Sequence, residues 1–198
     1  MKEIPLRNRN RDVVGYAKVD DEDFGAISKY SWFMIKSCNC YYAQSSYYFE
    51  GKQFTIQMHR WLLNIKDKGI CVDHINHDGL DNQRANLRIA SSRQNRFNSL
   101  PVQNTSSKYK GVSLVTYRSK QKRKDGSIAH YEYKRWRAMI NIDGKNIGLN
   151  SFTSEEEAAK VYDYYARKHH KEFARLNFPN ENIEPKLTRR KSCSLAEI

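Results

Sequence analysis

Residues 72–96 read VDHINHDGLDNQRANLRIASSRQNR, and the order of residue types in this stretch decides how the chain is read. Asp73 and His74 close an apolar approach, Gly69-Ile70-Cys71-Val72. A loop follows in which Gly79, Asp81 and Asn82 supply turn chemistry. Asn86-Leu87-Arg88 then opens a second short strand, Leu87 to Ala90. Ser91-Ser92-Arg93-Gln94 is a capping box, so a helix is expected from about Ser92 to Asn98, with Asn95 about one turn past the cap. The layout is β-β-α.

That layout gathers a particular set of side chains. Asp73 offers a carboxylate and Asn95 an amide carbonyl, and magnesium-like cations take oxygen ligands while keeping several waters. On an extended segment His74 points away from its neighbour Asp73, toward a water in line with a scissile phosphorus. An imidazole titrating near 6.5 suits general-base work near neutral pH. Asn86 can brace the loop or hold His74 in orientation. The expectation is a phosphodiester-hydrolysing site with catalytic residues His74 and Asn86 and metal ligands Asp73 and Asn95. It would use a divalent cation, Mg2+ or else Mn2+. A zinc site from His59, His74 and His77 is the weaker alternative, because no thiolate lies near and His74 and His77 sit three apart in strand and loop. Singly, each of these residues has an ordinary turn, cap or loop role; only the joint pattern argues for a nuclease.

Charge points to the same partner. The 198 residues carry 35 Lys and Arg against 22 Asp and Glu, a net charge of +13. Residues 1–100 hold 15 basic and 11 acidic side chains, +4, whereas residues 101–178 hold 16 and 8, +8. A phosphate polyanion is the natural partner for such an excess, through counterion release. An anionic membrane surface would call for a basic amphipathic helix with a bulky apolar face, and none is evident. Four cysteines (Cys38, Cys40, Cys71, Cys193) form neither a disulfide framework nor paired CxxC hooks, so reduced thiols in a cytosolic protein are expected. The first residues, MKEIPLRNRNRD, lack the apolar core of a signal peptide.

Around the central unit, residues 1–58 are strand-rich: 13–19, 29–35, 41–49 and 53–58 are dense in β-branched and aromatic residues, punctuated by Gly15, Gly25, Gly51 and the acidic cluster 20–23. Their aromatic residues would form a small sheet's core or, alternatively, a base-stacking platform. His59 to Leu63 reads as a short helical bridge, and the nuclease unit spans 59–99. A polar linker, 100–107, leads to a second unit, 108–179, with strands at 108–118, 134–143 and 145–152 and a tight hairpin turn at Asp143-Gly144. Thr153-Ser154-Glu155-Glu156 reads as a capping box opening a helix whose apolar stripe is Ala158, Val161, Tyr162, Tyr165 and Ala166. Residues 180–198 read as a disordered tail. The fold class expected is α+β, ending in a three-stranded antiparallel sheet packed on one helix.

VDHINHDGLDNQRANLR followed by SSRQNRFN resembles the HNH (ββα-metal) endonucleases, in the phage and intron homing branch whose last ligand is Asn. The words MHRWLL (Met58 to Leu63), KEIPL (Lys2 to Leu6) and VDDEDF (Val19 to Phe24) resemble the same branch. The resemblance implies Asp73 and Asn95 as metal ligands, His74 as general base and Asn86 as the middle Asn, with a cytoplasmic location in a bacterial host if the chain is phage-encoded. His77 stands where such proteins usually carry a small residue, often Gly. The second unit is similar to the plant ethylene-response-factor (Apetala-type) DNA-binding domain, in Tyr109-Lys110-Gly111-Val112, Trp136-Arg137-Ala138, Phe152 to Ala159, Tyr162-Asp163 and Ala174 to Pro179. That resemblance implies a sheet lying in the DNA major groove, although Ser113 and Asn141 stand where the family has arginines.

Double-stranded DNA is therefore the expected partner. Arg60, Arg84, Arg88, Arg93 and Arg96 around the nuclease unit, and Arg118, Lys134, Arg135, Trp136, Arg137 and Lys145 in the sheet, are the expected contacts. Strand alternation splits Arg135 and Arg137 from Lys134 and Trp136, so not all can face DNA together. The basic run 120–126 reads as a hairpin loop able to touch phosphate. One such centre cuts one strand, so a monomer, the favoured state, should nick, and a double-strand break would need dimerisation or a second engagement. The rival reading is a sequence-specific DNA-binding regulator with an inactive nuclease unit.

Overall fold

A computed structural model describes residues 1–37, 40–181 and 184. The chain divides into two compact units, Met1–Ser99 and Leu100–Ile198. Both are mixed α+β.

The first unit is built on a five-stranded sheet. Its strands are β1 (Lys2–Arg7), β2 (Val13–Val19), β3 (Trp32–Ser37), β4 (Cys40–Phe49) and β5 (Lys52–Gln57), in the order β2-β1-β3-β4-β5. All neighbours are antiparallel except β1 and β3. Alternation along β1 and β2 puts Ile4, Leu6, Ala17 and Val19 on one face, where they join Ile27, Trp32, Ala43, Met58 and Leu62 in a continuous core. The Trp32 indole donates to the Ile27 carbonyl at 2.9 Å, which satisfies its N–H inside that core.

The structure adds two elements to the sequence reading. Lys2–Arg7 is a strand, hidden in the sequence by Pro5 and flanking charges. The acidic cluster is the first turn of a short helix, α1 (Asp21–Ile27), where negative charge suits the helix dipole. The aromatic segment of β4 and β5 also divides differently. Ala43 and Ser45 are buried, whereas Tyr47, Tyr48, Phe49 and Phe54 are exposed, with Tyr47 stacked on Phe54 at 5.5 Å.

Helix α2 (Met58–Leu62) leads to the hairpin β6 (Cys71–His74) and β7 (Leu87–Ala90), then α3 (Ser92–Asn98). The Ser91 hydroxyl accepts from Gln94 N at 3.2 Å while the Gln94 side chain accepts from Ser91 N at 2.8 Å, the reciprocal pair that fixes where α3 begins. The long loop between β6 and β7 is strapped to the sheet. Lys18 N donates to Leu80 O and Asn82 N to Lys18 O, both at 2.8 Å, which covers the free edge of β2. Gly79 approaches β4 so closely that a Cβ there would lie 2.4 Å from the Tyr41 carbonyl oxygen and 2.7 Å from the Tyr42 ring.

The second unit is a three-stranded antiparallel sheet, β8 (Val112–Lys122), β9 (Ile128–Ile142) and β10 (Lys145–Phe152), in the order β10-β9-β8, with α4 (Glu155–His170) packed on it. The strands β8 and β9 run well past the limits expected from sequence. The N-cap of α4 is Ser154, whose hydroxyl accepts from Glu157 N, rather than Thr153, because the helix starts one residue later. Ala158, Val161, Tyr162, Tyr165 and Ala166 are all buried, against Val112, Ala138, Ile140 and Leu149. Gly111 has φ +76° and lies against the Tyr162 ring and the Met139 carbonyl, so no other residue fits. Asp163, buried in α4, accepts from Asn177 N at 2.9 Å and Phe178 N at 2.7 Å, fastening the chain that follows the helix. Of the expected tail, all but residues 180, 181 and 184 lie outside the described residues.

Candidate active site

Asp73 and His74 are adjacent on β6 and both buried. Their side chains diverge, as neighbours on a strand must. Asp73 meets Arg88, its direct partner across the hairpin, and Asn98 from α3. Arg88 Nε donates to Oδ2 at 2.8 Å and its Nη2 lies 2.6 Å from the same oxygen. Asn98 Nδ2 sits 3.0 Å from each Asp73 oxygen and 3.1 Å from the His74 carbonyl. Arg88 thus bonds Oδ2, Asn98 bonds both oxygens, and a carboxylate oxygen can accept more than one bond.

The His74 ring enters a different environment. Its centroid lies 5.0 Å from that of His59, edge to face, and 5.9 Å from that of Tyr42, which also packs on His59 at 5.8 Å. Asn82, fully buried, lies beside it and favours the protonated ring without a hydrogen bond of standard geometry. Burial outweighs that influence and the nearby carboxylates, and lowers the His74 pKa below its ordinary value. His59 is pushed down to about 3, by burial first and then by His74 and Arg60. His74 Nε2 and His59 Nδ1 have no hydrogen-bond partner among the described residues. Both rings are therefore neutral near pH 7, and His74 Nε2 is buried beside His59, Tyr42 and Asn82.

Asn86 ends the 3-10 turn Arg84–Asn86 and faces the loop. Its Oδ1 accepts from Asn76 N at 3.0 Å, and its Nδ2 donates to Asn76 Oδ1 at 2.9 Å and Asp81 O at 2.8 Å. It grips the turn after His74 and makes no bond to the imidazole. The same turn contains His77 with φ +67°, a left-handed conformation that favours Gly but that His adopts more readily than most. Asn95 lies one turn before Asn98, on the same face of α3, and is exposed. Asn95 makes no side-chain hydrogen bond among the described residues, so Asn98, not Asn95, touches Asp73 here.

The chain is similar to an uncharacterized HNH endonuclease of Acanthamoeba polyphaga mimivirus. The two are 32% identical over 167 residues, covering 82% of this chain and 74% of the relative. The chain belongs to the HNH endonuclease family. No protein-family model matches it, and no solved structure matches it.

In this HNH protein several arginines expected at DNA are engaged internally. Arg60 donates to Ile70 O at 2.6 Å and to Asp67 O, stapling the approach to β6. Arg84 makes a two-pronged contact with Asp23, 2.8 Å at each nitrogen, while Asp20 accepts from its backbone N–H. Arg88 holds Asp73. Arg93 and Arg96 are exposed on α3. In the sheet, directly paired residues share a face, and α4 covers the face of Ala138 and Ile140. Arg135 and Arg137 lie on the opposite, open face. Arg118, Lys134 and Trp136 lie on the helix side, as does Lys145, paired with Ile142. Trp136 packs against the core there, so it is unavailable to a ligand on the open face. Asn98, Asn82 and Tyr42 complete the site without having been singled out as its members from sequence, and of these Asn98 carried a signal in its spacing of three from Asn95. His59 was expected only in the zinc alternative, and it packs on His74 instead.

Among the described residues no three His, Cys, Asp or Glu side chains converge as a metal cluster. Cys40 and Cys71 are free thiols, and Cys38 lies outside the described residues. No helix among them is long and apolar enough to cross a membrane.

Proposed function

We propose that this HNH nuclease is a site-directed DNA endonuclease of the homing or mobile-element type, cleaving with one divalent cation and a histidine general base. The observation that carries the reading is the divergence of Asp73 and His74. One strand sends a carboxylate to α3 and a neutral imidazole with an unbonded Nε2 to the other side.

The donors around Asp73 fit a hard cation. Asp73 supplies a carboxylate and Asn95 a neutral oxygen donor on the same helix face as Asn98, and so small a protein donor set suits a cation that takes its other ligands from water and phosphate. Mg2+ is the ion such a set suits best, with Mn2+ as substitute. When bound, the cation supplies positive charge for the phosphoryl and leaving oxygens. The chain's own part is positional. Arg88 and Asn98 fix the Asp73 carboxylate; Asn86 fixes the turn after His74; Tyr42 and His59 fix the plane of the His74 ring. His74 Nε2 takes a proton from the attacking water. With one such centre, a monomer nicks one strand.

We assign the second unit to DNA binding, as an ethylene-response-factor-like module. Support comes from its three antiparallel strands under one helix and from Arg135 and Arg137 on the open face. Supercoiled plasmid incubated with protein and Mg2+ tests the enzyme. Relaxed circles that vanish with chelator and with His74→Ala are expected; relaxation that survives His74→Ala would reject the assigned base.

A further inference from the structure

Between β8 and β9 lies a segment that neither the core nor the nuclease chemistry uses. From Val115↔Arg135 to Lys122↔Ile128 the two strands pair with each other alone, since β10 joins β9 only from Trp136 onward. These eight pairs span about 26 Å. The turn is tightly made: Arg123 N donates to Ser127 O at 2.8 Å, and Asp125 Oδ1 accepts from Ser127 N and Oγ. Of residues 115–135 Ala129 alone is buried, and it lies outside the hydrophobic cluster beneath α4. A lone two-stranded ribbon is marginal in water, and this one is held by cross-strand contacts and, at its base, by a 2.6 Å hydrogen bond between the Tyr117 and Ser151 hydroxyls that ties it to β10. Tyr117 stacks on Tyr133 at 5.5 Å, Arg135 lies over the Tyr133 ring at 5.9 Å, and Arg118 pairs with Glu132 at 3.1 Å.

The two faces of the ribbon differ. On the open face are Tyr117, Ser119, Gln121, Ala129, Tyr131 and Tyr133, continuous with Arg135 and Arg137 of the sheet. Tyr131 and Tyr133 are 47% and 46% exposed. The opposite face carries Lys120, Lys122 and Lys134 beside the Arg118–Glu132 pair, and Arg123 and Lys124 lie at the turn. Residues 115–135 hold seven Lys and Arg against two acids, 7 − 2 = +5. One of those acids is turned into Ser127 and the other is paired with Arg118.

We propose that residues 115–135 form an arm that enters a groove of duplex DNA with its tyrosine face inward, a deepening that rests on the DNA-binding reading of this unit. A two-stranded ribbon fits the major groove, about 12 Å wide. Tyrosine-face-in, the exposed rings leave water and meet base edges, while long cationic stems reach the phosphates at the rim. The reverse orientation would press Glu132 against the polyanion and leave the rings in solvent. From Tyr131 to Asn141 the open face runs ten residues, about 33 Å or roughly ten base pairs, against about 20 Å for the three-stranded part alone.

The test uses the full chain, a mixed-sequence DNA duplex of about four helical turns, and its single strand, followed by anisotropy over a salt series. Replacing Lys120, Lys122, Arg123 and Lys124 with Ser should flatten the log–log salt slope by about three to four. Tyr131→Ser with Tyr133→Ser should weaken duplex binding about tenfold or more with the slope unchanged. A ribbon shortened by joining Arg118 to Glu132 through Asn-Gly, which leaves the core intact, should shorten the protected footprint. Variants that bind the duplex as the parent does overturn the arm. Preference for the single strand overturns the groove assignment, and a change confined to self-association makes the ribbon a contact between copies instead. Failure of the parent protein to bind duplex at all refutes the underlying DNA-binding reading, not the arm specifically.

Discussion

Removing the Asn98 amide tests how the Asp73 carboxylate is held. One hydrogen on Nδ2 is shared between the two Asp73 oxygens at 3.0 Å, and the other serves the His74 carbonyl at 3.1 Å. The first bond is charge-assisted, worth about 1.5–3 kcal/mol when its partner stays buried; the second is neutral, worth about 1 kcal/mol. Asn98→Ala should therefore destabilise the N-terminal unit by about 2.5–4 kcal/mol, less whatever water recovers in the space left. Asn98→Asp should be worse at neutral pH, because it faces a second carboxylate toward Asp73. Its penalty should shrink on acidification, when one of the pair takes a proton and becomes a donor again. Urea unfolding followed by the fluorescence of Trp32 and Trp61 gives both numbers. Loss of less than about 1 kcal/mol in Asn98→Ala, or an Asn98→Asp penalty independent of pH, would refute this account of the carboxylate's support.

Three further outcomes follow from the same geometry. Because burial lowers the His74 pKa, its ring stays neutral below its usual value; the acid limb of the cleavage rate should fall below pH 6.5, and a limb at or above 6.5 contradicts it. His59 is held at about 3 when folded against 6.5 unfolded, so the unfolded chain binds the extra proton between those values. Stability present above pH 6.5 should be lost on acidification toward 3 by up to about 1.4 kcal/mol per pH unit, and His59→Leu should remove that slope in acid denaturation. Gly79→Ala places a Cβ 2.4 Å from the Tyr41 oxygen; it should cost about 1–3 kcal/mol and slow cleavage by shifting the loop beside His74, and unchanged melting would contradict that packing.

What sequence discloses here is local. The capping box at Ser91 and the stripe of α4 depend on residues three or four apart, so each can be read without knowing the fold. The arginines are the opposite case. Arg84 meets Asp23 across 61 positions and Arg88 meets Asp73 through strand register, so neither internal contact can be read before the chain is folded. The acidic cluster 20–23 looks like a turn because its acids are polar, yet they start α1 and clamp the turn before Asn86. The β8–β9 ribbon was hidden for a related reason. KQKRKDGS has no apolar alternation, since neither of its faces is buried in the core. Asn98 and Asn82 act only through tertiary placement; His77, which stands where the resembled family usually has a small residue, takes the positive φ that glycine favours.

The central claim is that Asp73 and Asn95 together hold the cation that the His74-activated cleavage requires. Single-turnover cleavage of a bound duplex, titrated with Mn2+, measures it most directly. The account predicts that Asn95→Ala keeps the fold but moves half-maximal cleavage to at least about tenfold higher metal, and that Asp73→Asn does so further. A metal titration unchanged in Asn95→Ala would contradict the claim and assign the second oxygen to another side chain of α3.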